Sequence, residues 1–241
     1  MVLTDFRKED LLSIDPNDFT EVALSPDEIW HIFTTLGAVW VYEGEPDAKK
    51  PHAAFTSGKC CNGYISCRKV LCYPNLCELL AVQHVKALRR LGWIEKVDWV
   101  IGSVDSVVTW SYEVARTLHA RHGFCEKDPA DPEQRRMIWK EEIPIGAEVL
   151  YTEDLVIAKE TSEVAKSAVR KSNPHRPINF YPFISALVHR PASTGPLATN
   201  GVVPLIFRVF QTWERLDCPY CHVCSARLHP ERDWARLLGR V

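Results

Sequence analysis

Apolar positions in the first 50 residues recur at helical spacing. Ser25-Pro26-Asp27-Glu28 supplies a serine cap, a proline in the first turn and two acids at the positive end of a helix dipole. Ile29, Ile32 and Phe33 form the apolar stripe, and Gly37 ends it. Residues 44–51 (GEPDAKKP) read as a loop, Ala53 to Thr56 as a short strand, 57–59 as a turn and Tyr64 to Leu71 as a second strand. From Pro74 the helical period returns: Leu76, Leu79, Leu80, Val85 and Leu88 share a face, and Gly92 follows the basic end Arg89-Arg90. Val97 to Ile101 is an apolar strand followed by Gly102. Val107, Val108, Ser111, Val114, Ala115 and Leu118 then mark the buried face of a helix starting near Ser106, with Gly123 as its stop.

The alternation continues. Ala147 to Thr152 is an apolar strand with Glu153-Asp154 at its end, and a helix covers about Thr161 to Lys171. Phe183 to Val188 and Val202 to Phe210 are further strands, and the proline-rich stretches 173–182 and 191–204 read as loops. Strands alternating with helices predict an α/β fold, a mostly parallel central sheet flanked by helices. The organisation expected is an N-terminal helical extension over 1–50 packing on the core, an α/β domain over 51–215, and a cysteine-containing tail over 216–241.

Composition narrows the class. The chain has 241 residues, 46% hydrophobic and 25% charged, which excludes a disordered or collagen-like chain and a disulfide miniprotein. Lys and Arg total 29 against 31 Asp and Glu, so the net charge of −2 gives no overall attraction to nucleic acid, and any polyanion site must be local. The most apolar stretch, Val97 to Ala115, carries Asp98, Asp105 and Glu113, which a membrane span would not hold. The acidic N-terminal stretch lacks an apolar core of signal-peptide length, so the expectation is a soluble, cytoplasmic protein. Nine cysteines, unevenly clustered, then suggest free thiols or metal ligands rather than a disulfide framework.

In open parallel sheets, ligands bind outside the carboxyl ends of the strands. Glu153-Asp154 sits at such an end, where adjacent acids can accept hydrogen bonds from sugar hydroxyls or lie near a metal-bound substrate; they can equally be a solvated turn. Residues 157–161 lead into a helix whose free N–H groups would suit a phosphate, but no glycine allows close backbone approach, and Glu160 opposes Lys159. Cys218, Cys221 and Cys224 (CPYCHVC) have zinc-type spacing, with His222 or His229 as a fourth ligand. Only one such run exists, so a set of reduced thiols is the first reading and zinc the second; Cys60, Cys61, Cys67, Cys72 and Cys77 are the distant alternatives.

Several segments together resemble the orotate phosphoribosyltransferase family, of type I phosphoribosyltransferase-like fold. In chain order these are 55–59 (FTSGK), 63–67 (GYISC), Tyr73-Pro74, 97–102 (VDWVIG), 112–116 (YEVAR), Glu126-Lys127, 146–154 (GAEVLYTED), 186–190 (ALVHR) and 217–221 (DCPYC). The resemblance implies transfer of ribose 5-phosphate from phosphoribosyl pyrophosphate to a pyrimidine base, forming a nucleoside monophosphate, with Mg2+ carried by the pyrophosphate and a homodimer as the assembly. The transition state is oxocarbenium-like, so cations must neutralise the leaving group and a closing loop must exclude water. By resemblance, Lys127, Glu153 and Asp154 are the catalytic group, with the two acids holding ribose hydroxyls. Lys59 would face pyrophosphate or base, Tyr64 would stack on the pyrimidine, and Arg190 would fork onto a carboxylate. Lys159 and Thr161 would lie at the 5-phosphate, and Arg135, Arg136 and Lys140 in or beside the closing loop. Read apart from the resemblance, Lys59 is one exposed lysine among many, Tyr64 a strand aromatic, Arg190 a solvated strand end, and 125–142 a charged surface loop.

Two phosphate loops depart from the family pattern. Ile157 to Thr161 replace a threonine- and glycine-rich loop, and 103–107 (SVDSV) add Asp105 to a loop of small residues. Each lost charge-assisted contact is worth roughly 1.5–3 kcal/mol. A catalytically degenerate relative that binds a nucleotide or a protein partner is therefore the alternative function. A nucleic-acid module built on the tail is disfavoured by the near-neutral charge.

Overall fold

The computed structural model describes residues 2–133, 135–192 and 201–240. In chain order the elements are α1 (Lys8–Leu12), α2 (Pro26–Thr35), β1 (Val39–Val41), β2 (His52–Ala54), β3 (Cys60–Cys61), β4 (Gly63–Ile65), α3 (Arg68–Leu71), α4 (Pro74–Arg90), β5 (Trp99–Gly102), α5 (Val107–Leu118) and β6 (Arg121–Phe124). There follow β7 (Glu126–Lys127), β8 (Met137–Ile138), β9 (Glu148–Val156), α6 (Glu160–Ser172), β10 (Asn179–Phe180), β11 (Ile184–His189), β12 (Val202–Phe207), β13 (Thr212–Trp213), α7 (Pro219–His222), β14 (Arg227–Leu228) and α8 (Trp234–Leu237).

The central sheet has the order β12-β11-β9-β5-β6, with β10 added to the start of β9, and every pairing in it is parallel. Alternation along the strands separates two apolar layers. Val100, Leu150, Leu187 and Ile206 face α4 and α5, packing with Leu80, Trp110 and Val114. Trp99, Ile101, Val149, Tyr151 and Ala186 face the opposite side, against Ala165, Ala168 and Val169 of α6 and Trp139. A buried polar chain crosses the first layer: the Trp110 indole N–H donates to Thr152 (2.9 Å), Thr152 and Ser185 share a hydroxyl contact (3.2 Å), and His84 Nε2 meets Ser185 (2.7 Å). Two smaller assemblies flank the sheet: the antiparallel pair β1-β4 and a four-stranded sheet β13-β3-β2-β14.

Local signals explain most boundaries. Ser25 accepts from the Glu28 N–H while the Glu28 carboxylate accepts from the Ser25 N–H, so α2 opens on a full capping box. Gly37 lies in the left-handed region (φ 61°) just past the α2 end, where a side chain would be strained.

Some expectations are corrected. The run Tyr64 to Leu71 is not one strand: β4 stops at Ile65 and α3 takes over, with Val70 and Leu71 buried on one side of its single turn. Gly123 does not stop α5. His119 (φ 55°) does, and Gly123 lies inside β6, where its missing side chain admits the Trp139 ring. The strand expected to end at Thr152 runs on to Val156 because β11 continues beside it, Leu155 opposite Val188 and Val156 opposite His189. Within 173–182, β10 forms a two-residue strand; of 191–204, residues 202–204 open β12, and 193–200 lie outside the described residues. Among the described residues, no helix is long and apolar enough to cross a membrane.

A Cβ at Gly123 would stand 2.3 Å from the Trp139 ring. Gly123→Ala is therefore expected to lower unfolding free energy by about 1–3 kcal/mol through overpacking. Urea unfolding measures it, and an unchanged midpoint would contradict this packing.

Candidate functional site

The chain leaves β5 through α5 to reach β6 on one side, and leaves β9 through α6 to reach β11 on the other. The sheet order therefore reverses between β5 and β9, the place where such sheets open a crevice. β5 ends at Gly102, paired no further than Ile101 with Tyr151, while β9 continues past it. Glu153 and Asp154 project from this unpaired flank.

The loop after Gly102 reaches across to both acids. Ser103 donates to Glu153 Oε2 (3.0 Å), Ser106 donates to Asp154 Oδ2 (2.7 Å), and the Tyr151 hydroxyl donates to Glu153 Oε1. Asp105 between the serines adopts a left-handed backbone (φ 61°), which Asp tolerates better than most residues. Close packing sets the loop's start: a Cβ at Gly102 would lie 2.6 Å from Ser111 Oγ.

Neighbouring residues of a strand face opposite ways, and the acid pair is split accordingly. Asp154, 8% exposed, lines a cavity of about 990 Å3 with Tyr64, Arg68, Lys69, Asp105, Ser106 and Glu231. Glu153, 5% exposed, lines a cavity of about 240 Å3 with Ile157, Ala158, Glu160, Thr161 and Ser162.

Burial raises the Glu153 carboxyl to about 7, against the lowering effect of the Tyr151 and Ser103 hydrogen bonds. Burial also raises Asp154, opposed by Ser106 and by backbone N–H groups.

The larger cavity is walled by the C-terminal tail. Tyr64 donates to Glu231 (3.4 Å) and meets the Trp234 ring edge-on, while Lys69 Nζ sits 5.5 Å from the Trp234 ring centre. Arg68 and Lys69 are exposed on α3 and make no ion pair among the described residues. Two cations thus face Asp154 and Asp105 across one space. Sequence reasoning missed Arg68, Lys69, Glu231 and Trp234. The basic pair was visible, but a strand placed there hid the helical turn that presents it.

The other expected residues distribute as follows. Lys59 lies outside the lining of both cavities and pairs with Glu214 at 3.0 Å. Arg190 is 3% exposed; one guanidinium nitrogen donates to Cys61 Sγ (3.2 Å), the group lies over Phe55 and Phe210, and its Nε has no partner. Lys127 is on β7, which pairs with β8 as a hairpin stem. In that hairpin Lys140 pairs with Glu126 (2.6 Å), Arg136 with Asp128 (3.5 Å) and Arg135 with Glu133 (3.2 Å). Lys159 caps α6, and its Nζ would lie 3.2 Å from a Cβ at Gly201, while Thr161 lines the smaller cavity.

Among the expected tail ligands, Cys218 and Cys221 come together, but Cys224 is exposed and His222 bonds the Leu216 carbonyl (2.7 Å). The hard oxygens of Asp105 and Asp154 suit Mg2+, which takes one or two carboxylates beside substrate phosphates. The smaller cavity, where the resemblance puts the 5-phosphate, is lined by Glu153 and Glu160 and, among the described residues, by no Lys or Arg, so a phosphate does not fit it well.

A parallel sheet of this order, with an acid pair at its reversal point and a small flanking sheet, is the fold of a type I phosphoribosyltransferase. A solved orotate phosphoribosyltransferase from Aeropyrum pernix superposes with TM-score 0.53 at 16% identity, covering 73% of this chain and 91% of that one. No protein-family model matches the chain. Its sequence is 30% identical over 198 residues to the orotate phosphoribosyltransferase of Pelotomaculum thermopropionicum, covering 82% of this chain and 93% of that protein. It is 38% identical over 108 residues to that of Caldicellulosiruptor bescii, where the match spans about half of the relative (52%) and 44% of this chain. The chain belongs to the orotate phosphoribosyltransferase family.

A buried acid that titrates near 7 has a sign. Between about pH 4.5 and 7 the folded chain keeps a proton on Glu153 that the unfolded chain has released, so stability falls as pH rises. Glu153→Gln removes this dependence. From pH 4.5 to 8 its stability relative to the parent should rise by up to about 3 kcal/mol, read by urea unfolding. Identical pH slopes for the two proteins would contradict a buried, proton-holding Glu153.

Proposed function

We propose that the chain is a phosphoribosyltransferase of the orotate type, transferring ribose 5-phosphate from phosphoribosyl pyrophosphate to a pyrimidine base. The observation carrying this reading is the cavity of about 990 Å3 lined by Asp154, Tyr64, Arg68 and Lys69, the last two making no ion pair among the described residues. Its size suits a small phosphorylated ligand.

Asp154 is the acceptor for a ribose hydroxyl. The Ser106 hydroxyl now bonded to it is replaceable by a sugar hydroxyl of the same hydrogen-bonding kind. Arg68 and Lys69 supply the charge that a departing pyrophosphate needs. Asp105 and Asp154 would hold the magnesium that arrives with the pyrophosphate, and that ion would add Lewis-acid stabilisation of the leaving group. Tyr64 offers its face to a planar base. Arg190 lies near Tyr64 but outside the lining of both cavities, and the reading assigns it the anionic group of the base. Lys127 acts from the hairpin β7-β8. The reading includes a homodimer in the cytoplasm.

A second reading has a specific observation behind it. The acid-lined smaller cavity, with Glu160 in the first turn of α6, repels a 5-phosphate. It favours a degenerate relative that binds a nucleotide or a protein partner without turnover.

Calorimetric titration with phosphoribosyl pyrophosphate and magnesium, followed by an orotate turnover assay, separates the two. The first reading expects binding and turnover, with Asp154→Asn abolishing turnover. Binding without turnover supports the second reading. Absence of both contradicts the first reading and leaves the protein-partner form of the second.

Glu160→Gln should tighten phosphoribosyl pyrophosphate binding by about tenfold, by removing a like charge within the helix's first turn. Unchanged affinity would place the 5-phosphate elsewhere.

A further inference from the structure

The four-stranded flanking sheet brings the cysteine-rich tail back onto the start of the domain. β14 pairs with β2, Arg227 opposite His52, and β2 pairs with β3, Ala54 opposite Cys60. α7 begins at Pro219, and the residues on either side of its first turn, Cys218 and Cys221, face the same strands. In consequence His52, Cys60, Cys218 and Cys221 converge, their ligand atoms all within 4.8 Å of one another. His52, Cys60 and Cys218 are completely buried.

The spacing has a chemical signature. A tetrahedral ion with Zn–S of about 2.3 Å and Zn–N of about 2.0–2.1 Å requires edges of about 3.8 Å between sulfurs and about 3.6 Å between sulfur and nitrogen. Cys60 Sγ and Cys221 Sγ are 3.6 Å apart, and Cys221 Sγ and His52 Nε2 are 3.5 Å apart. A disulfide would need its sulfurs at about 2.05 Å.

The histidine is oriented as a ligand should be. Ser225 Oγ gives its single proton to the Lys50 carbonyl (2.6 Å), so its oxygen accepts from His52 Nδ1–H (2.8 Å). Nδ1 therefore carries the ring proton, and Nε2 presents its lone pair to the three sulfurs. Fixing a ligand imidazole through its far nitrogen is the usual second-layer arrangement of zinc sites.

We propose that His52, Cys60, Cys218 and Cys221 bind one zinc ion in a closed, structural Cys3His site. Three thiols lose their protons as they bind, and the filled tetrahedron leaves no open position for catalysis. The ion fastens α7 to β2 and β3. It thereby holds the segment that continues into Pro230, Glu231 and Trp234, the tail wall of the larger cavity. Its ligands come from stretches more than 150 residues apart in the chain, and the inference is independent of whether the enzyme turns over.

Zinc content of the full-length protein, purified without chelator, tests the site by atomic emission. One zinc per chain is expected, retained in Cys224→Ser and lost in Cys221→Ser. Because a ligand variant can fail to fold, the parent protein stripped of metal is also titrated with cobalt. One equivalent should produce the intense visible bands of tetrahedral thiolate-bound Co2+, and zinc should abolish them. Stripping should raise amide exchange in 52–61 and 218–237 while 99–102 and 148–156 stay protected. Background zinc with no cobalt bands, equal metal loss in Cys224→Ser and Cys221→Ser, or a Cys60–Cys221 disulfide found by mass spectrometry would each overturn the proposal.

Discussion

The hydrogen bonds from Ser103 to Glu153 and from Ser106 to Asp154 tie together the two halves of the sheet where its order reverses. Buried carboxylates are costly unless their oxygens are satisfied, and these hydroxyls satisfy them. The loop after β5 therefore cannot be placed independently of β9. Its left-handed Asp105, the close contact of Gly102 with Ser111 and the start of α5 all follow from that one seam. The same seam gives the chain a chemical opening, because a hydroxyl holding a carboxylate can be exchanged for a sugar hydroxyl without loss of hydrogen bonds.

Charge decides what kind of ligand each side of the seam can take. On the Asp154 side, Arg68 and Lys69 share a roomy space with Asp105, Asp154 and Glu231, so that space offers cations to a polyphosphate and carboxylates to the magnesium it would carry. On the Glu153 side the smaller cavity is lined by Glu153 and Glu160 and, among the described residues, by no Lys or Arg, while Lys166 lies behind it over the Tyr151 ring. One nearby carboxyl is held toward its neutral form by burial, which reduces the repulsion but supplies no attraction. The two cavities are thus unequal. Under the proposed reading a pyrophosphate would have cationic partners, and a 5-phosphate would rely on the N–H groups opening α6, already answered by Glu160 and Glu163 in its first turn.

Short-range features of this arrangement were legible in the sequence. The capping box at Ser25 to Glu28, the apolar stripe of α4 and the strand-then-helix passage from Val97 to Leu118 are written in neighbouring residues, and they locate β5 and α5. The acid pair was legible for the same reason, as two carboxylates closing an apolar strand. Its division between two cavities was not, because that depends on β9 running on beside β11 to Val156. The turn at Arg68 to Leu71 was hidden by an apolar run too short to separate a strand from a helix. The tail's contribution of Glu231 and Trp234, and the meeting of His52 and Cys60 with Cys218 and Cys221, join residues over 150 positions apart and have no local signal. Tertiary pairing of β14 with β2 creates them.

The central claim is that the space beside Asp154 receives a phosphorylated sugar. A crystal structure of the chain with phosphoribosyl pyrophosphate and magnesium tests it most directly. The account predicts a ribose hydroxyl on the Asp154 carboxylate in place of Ser106, with the pyrophosphate turned toward Arg68 and Lys69. Ligand bound elsewhere, with the Ser106 contact intact and the space beside Asp154 empty, would contradict it.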